Sequence, residues 1–216
     1  MKKANCRHVV GLIMLLLIPA LAGCKLAFTG NLPNEVLQQL GDGGILSQDP
    51  CRLPCFLNLI PGESTYTDVV RALEELEIME WCTIERDTDV YCFEYETIRH
   101  SLSFLCDQSE ILRVIYFQPD SPIPVGDVIS VYGTPSSLWF YSYEDLGYLG
   151  VMGRLYYDDD STAFFLHDQS HIIYDLSPES LIEVVKIYSI DTYAEIHYMP
   201  ELEVEWRGYG LYEDLR

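Results

Sequence analysis

Phe104-Leu105-Cys106-Asp107-Gln108-Ser109 returns 61 residues later as Phe165-Leu166-His167-Asp168-Gln169-Ser170, with five of the six residues unchanged. Other matches keep the same order along the chain. Asp68-Val69-Val70 recurs as Asp127-Val128-Ile129, and Trp81 recurs as Trp139. Further on, Ile111-Leu112-Arg113-Val114-Ile115 matches Leu181-Ile182-Glu183-Val184-Val185, which leaves residues 171–179 as an insertion. A shared order at nearly constant spacing points to a duplicated unit of roughly sixty residues.

Each copy reads as one helix followed by an antiparallel meander. In the first copy Pro61-Gly62 makes a turn and Ser64 or Thr65 offers an oxygen to the orphan amides of a helix whose apolar face is Val69, Val70, Leu73 and Leu76. In the second, Val125, Val128, Ile129 and Tyr132 form that face, and Gly133 with Pro135 stops the helix. Alternation predicts strands at 81–86, 90–96, 101–106 and 111–117, then at 138–141, 150–158, 162–167 and 181–188. Asp87-Thr88-Asp89, Asp107-Gln108-Ser109 and Asp158-Asp159-Asp160 supply turn chemistry between them. Glu201 to Trp206 alternates as a half-buried strand should. The expected fold class is α+β, with repeat unit 1 at 51–120, repeat unit 2 at 121–190, and a C-terminal strand and tail at 191–216.

Outward from this region the N-terminus carries an address. Lys2, Lys3 and Arg7 precede an apolar run from Val9 to Ala22, the order of a secretory signal. A helix rises about 1.5 Å per residue and the hydrocarbon core is about 30 Å thick, so the run is too short to span it. It ends in Leu21-Ala22-Gly23-Cys24, which is similar to the lipobox of bacterial lipoproteins. Cleavage after Gly23 would expose Cys24 for acylation by palmitate-like chains, whereas ordinary cleavage after Ala22 would release a soluble protein. The expectation is a signal peptide at 1–23 and a lipidated cysteine with a tether at 24–50, anchoring the protein on the exported side of a membrane.

Loss of residues 1–23 removes three of the thirteen basic residues and none of the 34 acidic ones, leaving a net charge of −24. Nucleic acid and anionic headgroups are therefore poor partners, because binding them needs clustered Lys and Arg. A basic protein surface is the complementary partner. Cys51, Cys55, Cys82, Cys92 and Cys106 remain in a compartment that permits disulfides, and the sequence does not choose among the pairings. Cys82 and Cys92 flank the Asp87-Thr88-Asp89 turn and would meet bridge geometry in one hairpin register.

A Pro-Gly turn and hydroxyl cap opening a helix, followed by a meander and a second copy running from Val125-Gly126-Asp127-Val128-Ile129 to Tyr132-Gly133-Thr134-Pro135, resembles a known arrangement. It is similar to tandem copies of the small module found in outer-membrane assembly lipoproteins and in β-lactamase-inhibitor protein. It also resembles uncharacterised lipoproteins of Chloroflexi-type bacteria, in which a Pro-Cys precedes a Pro-Gly turn as Pro54-Cys55 precedes Ile60-Pro61-Gly62 here. The resemblance covers residues 51–190. It implies a fold and a habit of binding proteins, and it carries over no site residue.

Tyr91, Phe93 and Tyr95 alternate along one strand and share a sheet face, either packed beneath the first helix or lining a binding face. Tyr156, Phe164 and His167 are the corresponding candidates in the second copy. His167, Asp168 and His171 could converge on a metal, and Asp158-Asp159-Asp160-Ser161 could offer oxygens to calcium, but both read first as polar turns. No Gly-x-Ser-x-Gly elbow occurs. The expectation is a non-enzymatic binding or envelope-organising lipoprotein without catalytic residue, cofactor or metal, the alternative being a ligand- or metal-binding surface lipoprotein.

Overall fold

In a computed structural model of the chain, the described residues are 40–79, 82–86, 90–96, 101–145, 148–167, 173–196 and 203–213. Helix α1 (Tyr66–Glu75) opens where the sequence offers a capping box. The Thr65 hydroxyl accepts from the Asp68 amide at 3.3 Å, and the Asp68 carboxylate accepts from the Thr65 amide at 2.9 Å. The helix buries Val69 and Leu73. Helix α2 (Val125–Tyr132) follows Pro124, buries Val125 and Val128, and ends at Gly133, whose φ of 82° suits a residue without Cβ.

The strands are β1 (Thr83–Arg86), β2 (Val90–Glu96), β3 (Ser101–Asp107), β4 (Leu112–Phe117), β5 (Ile123–Pro124), β6 (Ser137–Asp145), β7 (Tyr148–Tyr157), β8 (Thr162–Leu166), β9 (Ile173–Leu176), β10 (Leu181–Tyr188), β11 (Glu203–Val204) and β12 (Gly210–Glu213). Ten of them form one antiparallel sheet in the order β1-β2-β3-β4-β10-β8-β7-β6-β11, with β5 beside β10. β9 and β12 make a separate pair. The fold is α+β, a large antiparallel sheet with a few helices.

Pairing register identifies the core face. Leu138, Leu155, Phe164, Val185, Phe117 and Leu102 stand opposite one another across six neighbouring strands, each buried to within 3% of full cover. They belong to one hydrophobic cluster with Val69, Leu73, Val125 and Val128 of the helices. One sheet face therefore packs against α1 and α2.

Two bulges interrupt the meanders at matching places. β3 steps from Leu105 opposite Val114 to Cys106 opposite Leu112, passing over Arg113, while β8 steps from Phe165 opposite Val184 to Leu166 opposite Ile182, passing over Glu183. Arg113 reaches Asp107 at 2.7 Å and Glu183 lies 2.5 Å from the His167 ring, so each passed-over residue contacts a polar side chain at the end of the neighbouring strand. The two hexapeptides do not present their phenylalanines to the same face. Their identities pair Phe104 with Phe165, yet Phe104 is in the core and Phe165 is half-buried on the opposite face. Phe164, one residue earlier, shares the core with Phe104, and one residue of slip exchanges the faces of a strand.

Residues 40–50, read from sequence as part of a tether, belong to the folded part. Leu40 and Ile45 are buried. The Asp42 carboxylate accepts from the amides of Gly44 and Leu46, and the Tyr132 hydroxyl donates to the Ile45 carbonyl at 2.6 Å. Gly43, at φ 68°, touches the Phe56 ring where a Cβ would stand. A disulfide joins Cys51 to Cys55, and Leu53, Phe56 and Leu59 then enter the core. At the other end, β9 lies within residues 171–179. Its Tyr174 and the Tyr212 of β12 pack on Phe140, with centroids 5.0 and 4.9 Å apart.

Candidate functional site

The opposite face of the sheet carries a different chemistry. Register aligns Tyr116, Lys186, Ala163, Tyr156 and Ser137 in one row, and Val184, Phe165, Arg154 and Trp139 in the next. Lys186 stands where β4 meets β10. Its Nζ lies 4.8 Å from the Phe165 centroid and 5.3 Å from that of Tyr116. Arg154 places its guanidinium carbon 4.5 Å from the same Phe165 ring. Both cations are half-buried. Burial, and then the charge of Arg154, hold the Lys186 ammonium below the usual lysine range.

Helix α3 (Ile190–Ile196) covers one end of this face. The Ser189 hydroxyl accepts from the Thr192 amide, and Tyr193 then packs on Tyr156 and Tyr188 with centroids 6.1 and 6.0 Å away. The Tyr193 hydroxyl donates to the Asp158 carboxylate at 2.8 Å. Burial and that carboxylate push its pKa up, so it remains a neutral donor. Trp139 and Tyr156, 5.0 Å apart, are closed over beneath this end. Beyond them Val114, Tyr116, Phe165, Val184, Arg154 and Lys186 stay partly open to solvent. Sequence reading missed this row, since Arg154 and Lys186 lie in different strands and only the pairing brings them together.

The side chains of Tyr91, Phe93 and Tyr95 fall outside the described residues, but the backbone register of β2 is clear. It sets them opposite Cys106, Phe104 and Leu102, all buried in the core. Tyr156, Phe164 and His167 are not brought together. Tyr156 pairs with Ala163, so Phe164 takes the other face, and His167 is exposed at the end of β8.

The bridge expected between Cys82 and Cys92 is not formed, and Cys82 carries a free thiol. The β1–β2 register sets Cys92 opposite Glu85, while Cys82 precedes β1, so the two are out of step. The Cys82 thiol donates to the Ile78 carbonyl, and burial pushes its pKa up to about 11. Among the described residues no group of three His, Cys, Asp or Glu side chains could hold a metal. The Asp158 to Ser161 turn is occupied structurally. The Asp158 amide donates to Ser136 Oγ at 3.0 Å, and its carboxylate holds Tyr193. Asp168, His171 and Cys24 lie outside the described residues.

Two hollows open elsewhere. One of about 450 Å³ is lined by His167, Tyr174, Asp175, Ser177 and Glu179, and one of about 300 Å³ by Ile60, Pro61, Gly62, Arg113, Ser189 and Asp191. In the first, the His167 ring is engaged with Glu183 and not with a serine hydroxyl. Neither presents a nucleophile hydrogen-bonded to a base among the described residues. No family model matches this chain, and no curated protein or solved structure matches it either.

Proposed function

We propose that the protein is a lipid-anchored, non-enzymatic binding module, displayed on the exported side of a membrane, that recognises a protein partner through the sheet face opposite α1 and α2. The observation that carries this reading is the asymmetry of cover. One face is closed by helices, while the other is covered at one end by α3 and leaves a row of aromatic, aliphatic and cationic side chains partly open. Rigid aromatics on a sheet bury much area for little entropy, which makes them good anchors. The net charge of the mature chain would steer a partner with a basic rim, because long-range fields act before contact.

We further read the chain as two duplicated helix-plus-meander units. The strand order β1-β2-β3-β4 meeting β10-β8-β7-β6 supports it, as do the matching bulges at Arg113 and Glu183. Joining the last strand of each unit produces one broad face from two small sheets, which is the surface the binding reading uses.

Two measurements test the proposal. Fatty-acid labelling followed by Cys24→Ser should show acylation that the substitution abolishes, and an unacylated wild type beginning at residue 23 or earlier would remove the anchor. Separately, Tyr116→Ala with Phe165→Ala should leave the circular dichroism spectrum unchanged and weaken recovery of a partner crosslinked in native membranes. Undiminished recovery by the folded double variant would move the binding site elsewhere.

A further inference from the structure

Three turns far apart in sequence enclose the hollow of about 300 Å³. Backbone hydrogen bonds fix them in place. The Gly62 amide donates to the Leu112 carbonyl at 2.7 Å, the Ser189 amide to the Arg113 carbonyl at 2.8 Å, and the Tyr188 amide to the Ser161 carbonyl at 3.0 Å. Gly62, at φ 91°, brings its turn so close to Ser189 that an added Cβ would stand 3.2 Å from the serine Cβ. Pro54, Ile60 and Ile190 give the hollow apolar walls, and Glu63, Asp159 and Asp191 bring it one carboxylate from each turn. Among the described residues none of these three carboxylates has a hydrogen-bond or ion-pair partner. Arg113 lines the hollow too, but Asp107 holds its Nε and a terminal nitrogen at 2.7 Å each. Arg52, two residues before Pro54, lies 5.5 Å from the Tyr132 centroid, and its charge acts on Asp160. The lining is therefore anionic. Ser161 adds an independent observation. It lines the hollow and is only 3% exposed; its amide donates to Asp158 and its carbonyl accepts from Tyr188, while its hydroxyl has no partner among the described residues. A buried hydroxyl without a hydrogen bond is costly, so this one is left to be met from the hollow.

We propose that this hollow binds a small aliphatic polyamine, whose ammonium groups pair with Glu63, Asp159 and Asp191 and donate one N–H to Ser161 Oγ. Carboxylates separated by apolar walls match ammonium groups separated by runs of methylenes, and each contact would be a charge-assisted hydrogen bond. A bare metal ion is a poor occupant. Among the described residues no three His, Cys, Asp or Glu side chains could close on one ion, so the charges are spaced for an extended cation. The volume suits a small ligand, lying at the low end of the range of about 300–1,000 Å³ for such pockets. The negative charge of the chain gathers cations from solution, and the hollow supplies the selection among them. Its residues are none of those assigned above to the docking face, so the two sites stand or fall separately.

The test is isothermal titration calorimetry of the full-length protein in detergent, with spermidine as the probe. Saturable binding of one spermidine per chain is expected. Glu63→Gln with Asp191→Asn should weaken it about tenfold or more, as the loss of charge-assisted contacts requires. Should that double variant misfold by circular dichroism, Asp159→Asn alone should weaken binding about fivefold. Ser161→Ala should weaken it about threefold. Glu74→Gln with Glu75→Gln on α1 removes the same charge from another surface and should leave the affinity unchanged. Absence of saturable binding, or full affinity in the folded Glu63→Gln, Asp191→Asn variant or in folded Ser161→Ala, would overturn the proposal. Equal weakening by the two double variants would also overturn it, because the net charge alone would then hold the amine. So would displacement by an equal concentration of magnesium ions, or binding of Nα-acetyl-lysine amide as tight as that of spermidine, since those outcomes assign the hollow to a point cation or to a lysine side chain.

Discussion

Phe164 and Phe165 are neighbours in sequence and opposites in role. Phe164 is fully buried in the core, whereas Phe165 is half-buried on the open face beneath two cations. Phe164→Ala should therefore cost about 3–5 kcal/mol in urea unfolding, from lost transfer energy and the cavity left behind. Phe165→Ala should cost less, roughly 1–2 kcal/mol, since its ring is only partly withdrawn from water. Equal losses would contradict the assignment of faces. Asp107 makes a second prediction. Partial burial pushes its pKa up, but the Ile111 and Ser109 amides and the Arg113 guanidinium donate to it and hold it below the ordinary carboxylate range. A depressed carboxylate contributes stability that is fully present above its unfolded value of about 4 and is lost as pH falls through the folded value. The urea midpoint of the wild type should fall more steeply below about pH 4 than that of Asp107→Asn. Parallel curves would show that the carboxylate contributes nothing. At this scale the Thr65 cap and the Gly133 stop were legible, because each is written in a single residue type at a fixed offset. The facing of Phe104 and Phe165 was not, because strict identity in the hexapeptide concealed a bulge that only pairing reveals.

The helices and eight meander strands were legible for a related reason. Apolar residues at helical spacing announce α1 and α2, and alternation announces strands such as Val90–Glu96 and Leu181–Tyr188, which match their predicted limits. The β9–β12 pair was not legible. Its partners are far apart in sequence and each strand has four residues, too few for a period to stand out. The 40–50 segment was read as tether for its Gly and Asp content, which describes a tight turn around Asp42 as well as it describes a tether. The Cys51–Cys55 bridge staples the stretch that carries Leu53 and Phe56 into the core. A loop this short gives limited entropy of closure, so replacing both cysteines by serine should lower stability by about 2 kcal/mol without unfolding the protein. Loss of the folded state in chemical denaturation at zero denaturant would mean that the bridge holds far more than its own loop.

As a whole molecule the protein builds one ten-stranded antiparallel sheet in which β4 pairs with β10, so its faces run unbroken across both meanders. Composition made the net charge legible. It could not reveal that the scarce cations Arg154 and Lys186 meet on the open face, because their meeting depends on the partnership of β7, β8 and β10. The binding reading rests on this face being the one in use. The most direct measurement is photo-crosslinking in native membranes, with the reactive amino acid placed at position 116 or 165 on the open face and at position 71 on α1. The account predicts a discrete protein adduct from positions 116 and 165 and none from position 71. Adducts from position 71 alone, or the same adduct from all three positions, would contradict it.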